Sequence, residues 1–325
     1  MKILISGYYG YGNTGDEAIL TGLLTALKPL NDDIVVLSAR PKATSALHAV
    51  KAKHRYKELL TAIFNCDALI SGGGGLLQDK TSRRSLLYYL AVISLARLLG
   101  KKVILIGQSI GPLSPLGKKL VGFSLKGLAI AVRDKASQKL LAEMGVKAEV
   151  FADLALLMPH QNPIPTKKPQ NILLIPRGGY PQIQERLMRV AVELSAQGYQ
   201  FKGLAMQAEE DVPELEKLSR VAEIANHVAH SPQEALKLIS QSDYVISARL
   251  HGLILAAKAH VPFQGLIYDP KVAAFLEESG GQSLAEPCDL SLIPDWNKVS
   301  KLQERAKEAI TWLAQQLQKP KNPLK

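Results

Sequence analysis

Apolar positions in this chain gather into short uninterrupted runs at residues 2–6, 34–37, 68–71, 102–106 and 129–132. Between them lie stretches of helix length whose apolar residues recur every three to four positions. Runs of this kind fit strands buried on both faces, and their alternation with amphipathic helices predicts a parallel sheet wound in βαβ units. A weaker run at residues 149–151 suits a sheet edge. Residues 159–170 (PHQNPIPTKKPQ) hold four prolines and no apolar period, which predicts an extended linker. Beyond them the alternation resumes, with strands expected at 172–175, 201–205, 244–247 and 263–267 and helices at segments such as 182–197 and 232–240. The expected fold class is α/β, with two Rossmann-like doubly wound domains over 1–158 and 171–317. The second closes with a long helix at 296–317, and a basic tail follows at 318–325. Ligands of such sheets bind beyond the carboxyl ends of the strands, so two domains facing across a cleft would build one site from both sets of loops.

Candidate chemistry sits at those strand ends. Residues 7–17 (GYYGYGNTGDE) follow the first strand and open the first helix. Glycines there let backbone amides approach a ligand, and the helix N-terminus favours a negative group. The spacing departs from GxGxxG, and the second strand runs into Ser38, Ala39 and Arg40 without an acidic residue, which argues against NAD. Gly10, Asn13, Gly15 and Asp16 are the substrate-contact candidates on this loop; the alternative is a tight turn with Asn13 or Thr14 as cap. Residues 71–75 (SGGGG), with Gly73 and Gly74, and 107–112 (GQSIGP), with Gln108 and Ser109, hold equivalent strand ends and read as cleft lining. Glu17 and Asp79 rank lower, as sugar ligands or a base. Arg133 follows the fifth strand in AVRD, where its planar fork suits a carboxylate or phosphate, while Asp134 suits the cap of the next helix. The most informative segment is 247–252 (SARLHG), a strand-to-helix junction carrying Ser247, Arg249 and His251: an anion site with a titratable group beside a helix's positive end. Lys271, in YDPK after the next strand, adds a basic group. His260 reads as structural.

Composition narrows the field. Apolar residues form 47% and charged residues 21% of the 325-residue chain, as in ordinary globular proteins. Forty basic residues against 29 acidic ones give +11, which favours anionic partners: nucleic acid, an anionic membrane surface or a phosphorylated substrate. Interleaved aromatic and basic motifs are lacking, so nucleic acid is not expected. Cys66 and Cys288 lack CxxC spacing, which argues against a disulfide framework or a zinc site and fits a reducing cytoplasm. Neither a metal nor a cofactor is expected. The N-terminal apolar run is too short for an export signal. The longest apolar stretch, 85–100, is broken by Arg97 and is shorter than the roughly 20 residues of a spanning helix. It reads as a core helix, with docking at the inner face of the plasma membrane as the alternative.

Taken in order, GYYGYGNTGDEA, SGGGGLLQD, GQSIGP, AVRD, SARLHG and YDPK resemble the polysaccharide pyruvyltransferases, most of all the bacterial cell-surface type. The resemblance implies a scaffold similar to the GT-B glycosyltransferases. It also implies transfer of the enolpyruvyl unit of phosphoenolpyruvate to two sugar hydroxyls, forming a pyruvate ketal and releasing phosphate. In the cell-surface branch the acceptor is a lipid-linked disaccharide containing N-acetylmannosamine, and the ketal anchors surface-layer proteins. Functional weight passes to Arg133, Arg249, His251 and, less firmly, Lys271. The rival readings are a GT-B glycosyltransferase that uses a nucleotide sugar and a non-catalytic binder of RNA or an anionic membrane.

Overall fold

In the computed structural model, which describes residues 1–31, 33–160 and 169–319, every expected apolar run forms a strand. One sheet holds β1 (Ile3–Ser6), β2 (Ile34–Ser38), β3 (Lys51–His54), β4 (Ala68–Leu77), β5 (Lys102–Ile110), β6 (Ala129–Val132) and β7 (Glu149–Val150). Its order is β3-β2-β1-β4-β5-β6-β7, with parallel pairing throughout. The helices that follow these strands are α1 (Thr14–Leu27), α2 (Pro41–His48), α3 (Leu59–Phe64), α4 (Arg83–Leu98), α5 (Pro115–Leu125) and α6 (Lys135–Glu143). The other sheet holds β8 (Asn171–Ile175), β9 (Gln200–Ala205), β10 (Ile224–Val228), β11 (Tyr244–Ser247), β12 (Phe263–Gly265) and β13 (Gln282–Ser283). Its order, β10-β9-β8-β11-β12-β13, is again parallel. Its helices are α7 (Pro181–Ala196), α8 (Ala208–Leu218), α9 (Pro232–Ser240), α10 (Leu250–Lys258), α11 (Pro270–Ser279) and α12 (Trp296–Gln318).

Both sheets therefore wind outward from a central strand and reverse once, between β1 and β4 and between β8 and β11. At such switch points the two flanking helices leave on opposite faces and open a crevice at the strand ends. Register fixes which residues meet there: Ser6 pairs with Ser71 in one sheet and Ile175 with Ser247 in the other. Helix starts follow local chemistry. Ser82, Ser114, Asp134 and Ser231 each accept a hydrogen bond from a first-turn amide, and Pro115, Pro232 and Pro270 open their helices.

By packing, the chain divides into two units: 1–11, 19–157 and Glu304 onward form the first, and 12–18 with 158–303 the second. The expected division into 1–158 and 171–317 thus differs at two helices. Residues 12–18 pack with the second unit, and the C-terminal part of α12 packs with the first. The linker expected over 159–170 and the tail over 318–325 fall mostly outside the described residues.

In the first unit Leu4, Leu37, Leu69, Leu105 and Val132 face Ile63, Tyr89, Ile93, Val121 and Leu141 from α3 to α6 in one buried cluster. In the second, Ile172, Leu174, Tyr244 and Ile246 meet Leu187, Val190, Leu194 and Leu215. Among the described residues no helix is long and apolar enough to cross a membrane.

Two differences from expectation bear on function. The SGGGG and GQSIG segments continue β4 and β5 rather than forming loops beyond them: Gly74 pairs with Gln108 and Leu77 with Ile110 across a register shift. Strands β3, β10 and β13 were not expected, because they lie at or next to sheet edges and are largely polar and exposed, so no apolar run marks them.

Candidate active site

The second unit's switch point carries the densest chemistry. β8 ends at Ile175 and leads through Pro176 to Arg177; β11 ends at Ser247 and leads through Arg249 into α10 and His251. The Ala248 amide donates to the Ile175 carbonyl at 2.8 Å, locking the two strand ends together. Ser247 is fully buried; its Oγ accepts the Arg249 amide at 3.0 Å and donates to the Arg249 carbonyl at 2.8 Å. A Cβ on Gly252 would lie 2.3 Å from that Oγ, so the glycine is required by this turn. Ser247, expected to contact substrate, instead shapes the junction.

Arg249 is 5% exposed. Its Nε donates to Asp211 Oδ2 at 2.7 Å and its Nη2 to Asp211 Oδ1 at 2.5 Å, while Nη2 also reaches Glu210 Oε2 at 2.8 Å. Asp211 is wholly buried, and its Oδ2 accepts the Met206 and Gln207 amides at 2.9 Å each. Burial alone would lower the guanidinium's pKa, but Asp211 and then Glu210 hold it above its ordinary value. The expected free anion clamp is therefore a buried ion pair, because a desolvated guanidinium needs a counter-charge whether or not ligand is present. Nη1, 3.4 Å from Gln207 Oε1, is its least engaged nitrogen.

The start of α1 belongs to the same unit. Asn13 Oδ1 accepts the Gly15 and Asp16 amides at 3.0 and 3.3 Å, so Asn13 is the helix cap, and its Nδ2 donates to Gln207 Oε1 at 3.3 Å. The Thr14 amide donates to the Met206 carbonyl at 2.9 Å. Asn13, expected as a substrate contact, thus fastens the positive end of α1 to the end of β9. Gly15 has a different part: a Cβ there would lie 2.2 Å from His251 Nδ1. The glycine lets the imidazole lie against the first turn of α1, whose other members include Asp16 and Glu17.

One cation here was not singled out from the sequence. Arg177 is partly exposed, and its guanidinium carbon lies 4.9 Å from the Tyr268 ring centre and 5.5 Å from that of Tyr180. The two rings are 4.6 Å apart. Among the described residues no carboxylate pairs with Arg177, and its buried Nε has no hydrogen-bond partner. Burial pushes the Tyr268 phenol up while Arg177 and Arg249 pull it back, so both guanidinium charges act at this ring. The signal was present in IPRGGY, an Arg just after a strand and before two glycines. Lys271 stands in the first turn of α11, with its amide on Asp269 Oδ1 at 2.9 Å. His260 stacks on Trp296 at 5.1 Å, the structural part expected of it.

The remaining expected site residues belong to the first unit, and packing accounts for most of them. Arg133 Nη1 pairs with Asp153 at 2.6 Å, both side chains under 8% exposed, while Asp134 caps α6 by accepting the Ser137 amide at 2.7 Å. Its expected role as a free anion clamp is corrected on the same ground as Arg249. A Cβ on Gly10 would strike Ser38 Oγ at 2.2 Å, and one on Gly73 would strike Ile19 at 2.0 Å. Gly73 and Gly74 have φ of 48° and 83° inside β4, a backbone that glycine adopts readily, next to the point where the β4–β5 register shifts. Gln108 is fully buried and donates to Ser71 Oγ at 2.6 Å; Ser109 donates to Asp134 Oδ2 at 2.7 Å. Asp79 takes the Ser114 amide and hydroxyl, which hold its carboxyl below the usual range.

The family model for polysaccharide pyruvyl transferase matches residues 13–270. The chain belongs to the polysaccharide pyruvyl transferase family. The family match opens at the Asn13 cap and closes at Pro270, so it contains Arg177, the Asp211–Arg249 pair and His251, while Gly10 and Lys271 fall outside it. No curated protein matches the chain significantly. Solved structures show the scaffold of this pyruvyl transferase relative to be GT-B-like. A glycosyltransferase from Rickettsia africae aligns with TM-score 0.59 at 13% identity, over 95% of this chain and 93% of that one. UDP-GlcNAc 2-epimerase from Neisseria meningitidis aligns at 0.58 and 13%, over 98% and 99%. MurG from Acinetobacter baumannii aligns at 0.52 and 16%, over 98% and 100%.

Proposed function

We propose that this polysaccharide pyruvyltransferase takes phosphoenolpyruvate as donor and makes a pyruvate ketal on a sugar of a cell-surface polysaccharide or its lipid-linked precursor, with N-acetylmannosamine as the favoured sugar. The observation that carries the reading is the group at the second unit's switch point: His251 against the first turn of α1 and, just beyond the adjacent strand β8, Arg177, which no carboxylate pairs with among the described residues. Phosphoenolpyruvate brings a carboxylate and a phosphate, and Arg177, Lys271 and Arg249 Nη1 supply matching donors. Arg249 otherwise acts as a positioning residue that holds the junction through Asp211.

In the reaction, His251 delivers a proton to the methylene carbon. C2 then bonds to a sugar oxygen, which loses its proton. The C2–O bond to phosphate breaks as the second hydroxyl adds, and phosphate leaves. Of the two hydroxyl protons, one is balanced by the new methyl group and the other leaves with phosphate, so the step needs no oxidant or reductant. Phosphoenolpyruvate is a cytosolic metabolite, which sets the reaction on the cytoplasmic side.

Phosphate release from phosphoenolpyruvate, with and without a panel of sugars and lipid-linked disaccharides, tests the reading. Acceptor-dependent release that His251→Ala abolishes supports it. The structural relatives named for nucleotide-sugar chemistry lend some weight to the rival reading, but no more than to the proposed one. Saturable binding of a nucleoside diphosphate with no phosphate release would establish that rival instead.

A further inference from the structure

We infer that the outer face of the α3–α4–α5 layer docks this protein on an anionic lipid bilayer. Helix α4 buries Leu86, Tyr89, Leu90, Val92, Ile93 and Ala96 against the sheet, and a soluble helix with that inner stripe should carry polar residues outside. Instead, Leu87, Ala91 and Leu98 are exposed, Leu87 to 53% and Leu98 to 76%. With Arg84 they lie three, four and seven residues apart and so form one outward stripe. Neighbouring α5 repeats the arrangement. Val121 and Leu125 are buried, while Leu116 (64% exposed), Lys119 and Phe123 (85% exposed) face out. Arg97 Nη1 donates to the Ser124 carbonyl at 3.0 Å and ties the two helices side by side. On the other flank α3 adds Leu60 and Phe64, both more than 60% exposed. Because α3, α4 and α5 cover the same face of one sheet through one buried cluster, their outer stripes look the same way.

Charge identifies the occupant. Between Asp79 and Asp134 there is no acidic residue, yet ten are Lys or Arg. Among them Arg83, Arg84, Lys119 and Lys126 are exposed. Leucine and phenylalanine tips set among basic side chains match the boundary between anionic headgroups and acyl chains, where apolar groups enter and ammonium and guanidinium groups stay at the phosphates. Nucleic acid would use the charges but leave the leucines in water, since bases stack on aromatic faces. The inference stands on this surface alone and does not depend on the pyruvyltransferase reading. A membrane-borne acceptor would give it a purpose.

The test is sedimentation of the full chain with vesicles of phosphatidylcholine alone or with about one-third phosphatidylglycerol. The expected result is partition onto the anionic vesicles that weakens with salt and falls at least about tenfold in two separate variants, Leu98→Ser/Leu116→Ser/Phe123→Ser and Arg84→Glu/Lys119→Glu/Lys126→Glu. Circular dichroism, melting and turnover with a water-soluble acceptor should stay unchanged in both. No partition at low salt, or partition that neither variant weakens, would overturn the inference. So would a concentration-dependent oligomer that the apolar variant dissolves, since the face would then belong to protein association.

Discussion

Removing the Asp211 carboxylate tests most directly how the second unit holds its functional junction. In Asp211→Ala, Arg249 stays 5% exposed and loses both ends of a bidentate pair at 2.7 and 2.5 Å, and the Met206 and Gln207 amides lose their shared acceptor. Breaking a buried ion pair from one side costs about 3–5 kcal/mol. Glu210 remains at 2.8 Å, but its side chain is 40% exposed, and a screened pair of that kind returns less than about 1 kcal/mol. The expected loss is therefore about 3–4 kcal/mol. Arg249→Ala should cost less, since Asp211 keeps two backbone donors, and the double variant should cost at least about 1.5 kcal/mol less than the sum of the two. Trp296 belongs to the second unit and Trp312 to the first, so urea unfolding followed by fluorescence in a Trp312→Phe background reads the second unit alone. A loss below about 1 kcal/mol in Asp211→Ala, or strict additivity, would refute the reasoning.

Three further outcomes follow from the same geometry. Gly15→Ala places a Cβ 2.2 Å from His251 Nδ1; turnover should fall about 10- to 100-fold with the fold retained, and full turnover would remove His251's seat on α1 from the reaction. Arg177→Ala should raise the KM for phosphoenolpyruvate about 10- to 100-fold, the worth of one charge-assisted contact, with a smaller change in kcat, and Arg177→Lys should recover only part of the loss; an unchanged KM would exclude Arg177 from donor binding. Burial, then Glu193 and Asp289, push the Cys288 thiol up to about 12, so native alkylation at pH 8.5 should run about a thousandfold slower than in urea. The sign follows from linkage: the folded state holds this proton more tightly, so its stabilising share is complete below the unfolded thiol's pKa and is lost as pH rises toward about 12. Rapid labelling of native Cys288 at pH 8.5 would contradict the burial.

The fold was legible because strands buried on both faces need continuous apolar runs, and IVVLS, VILI and YVIS could be little else. Edge strands such as KAKH in β3 meet no such demand and left no mark. The strand ends that carry the junction were legible too, since Gly7 follows β1 and Ser247 closes β11, but the order of the strands was not. Glycine was harder to interpret. Its absent side chain serves a neighbour as readily as a ligand, and Gly10 and Gly73 make room for Ser38 and Ile19 while Gly15 makes room for His251.

The arginines show what spacing leaves undecided. Arg133, Arg177 and Arg249 all follow the carboxyl ends of parallel strands, and in sequence each could be an anion clamp. Their burial separates them. Arg133 and Arg249 have side chains 7% and 6% exposed, and at that depth a counter-charge is obligatory; Asp153 and Asp211, 20 and 38 residues away, provide it. No local pattern announces such partners. Arg177 keeps contact with water and rests on Tyr180 and Tyr268, whose faces return only about 0.5–2 kcal/mol, less than an ion pair would. A bound anion could therefore still satisfy its charge without displacing a carboxylate. The anion contact proposed above accordingly rests less on the pair the motifs suggested than on Arg177, whose mark in the sequence is the IPRGGY segment alone.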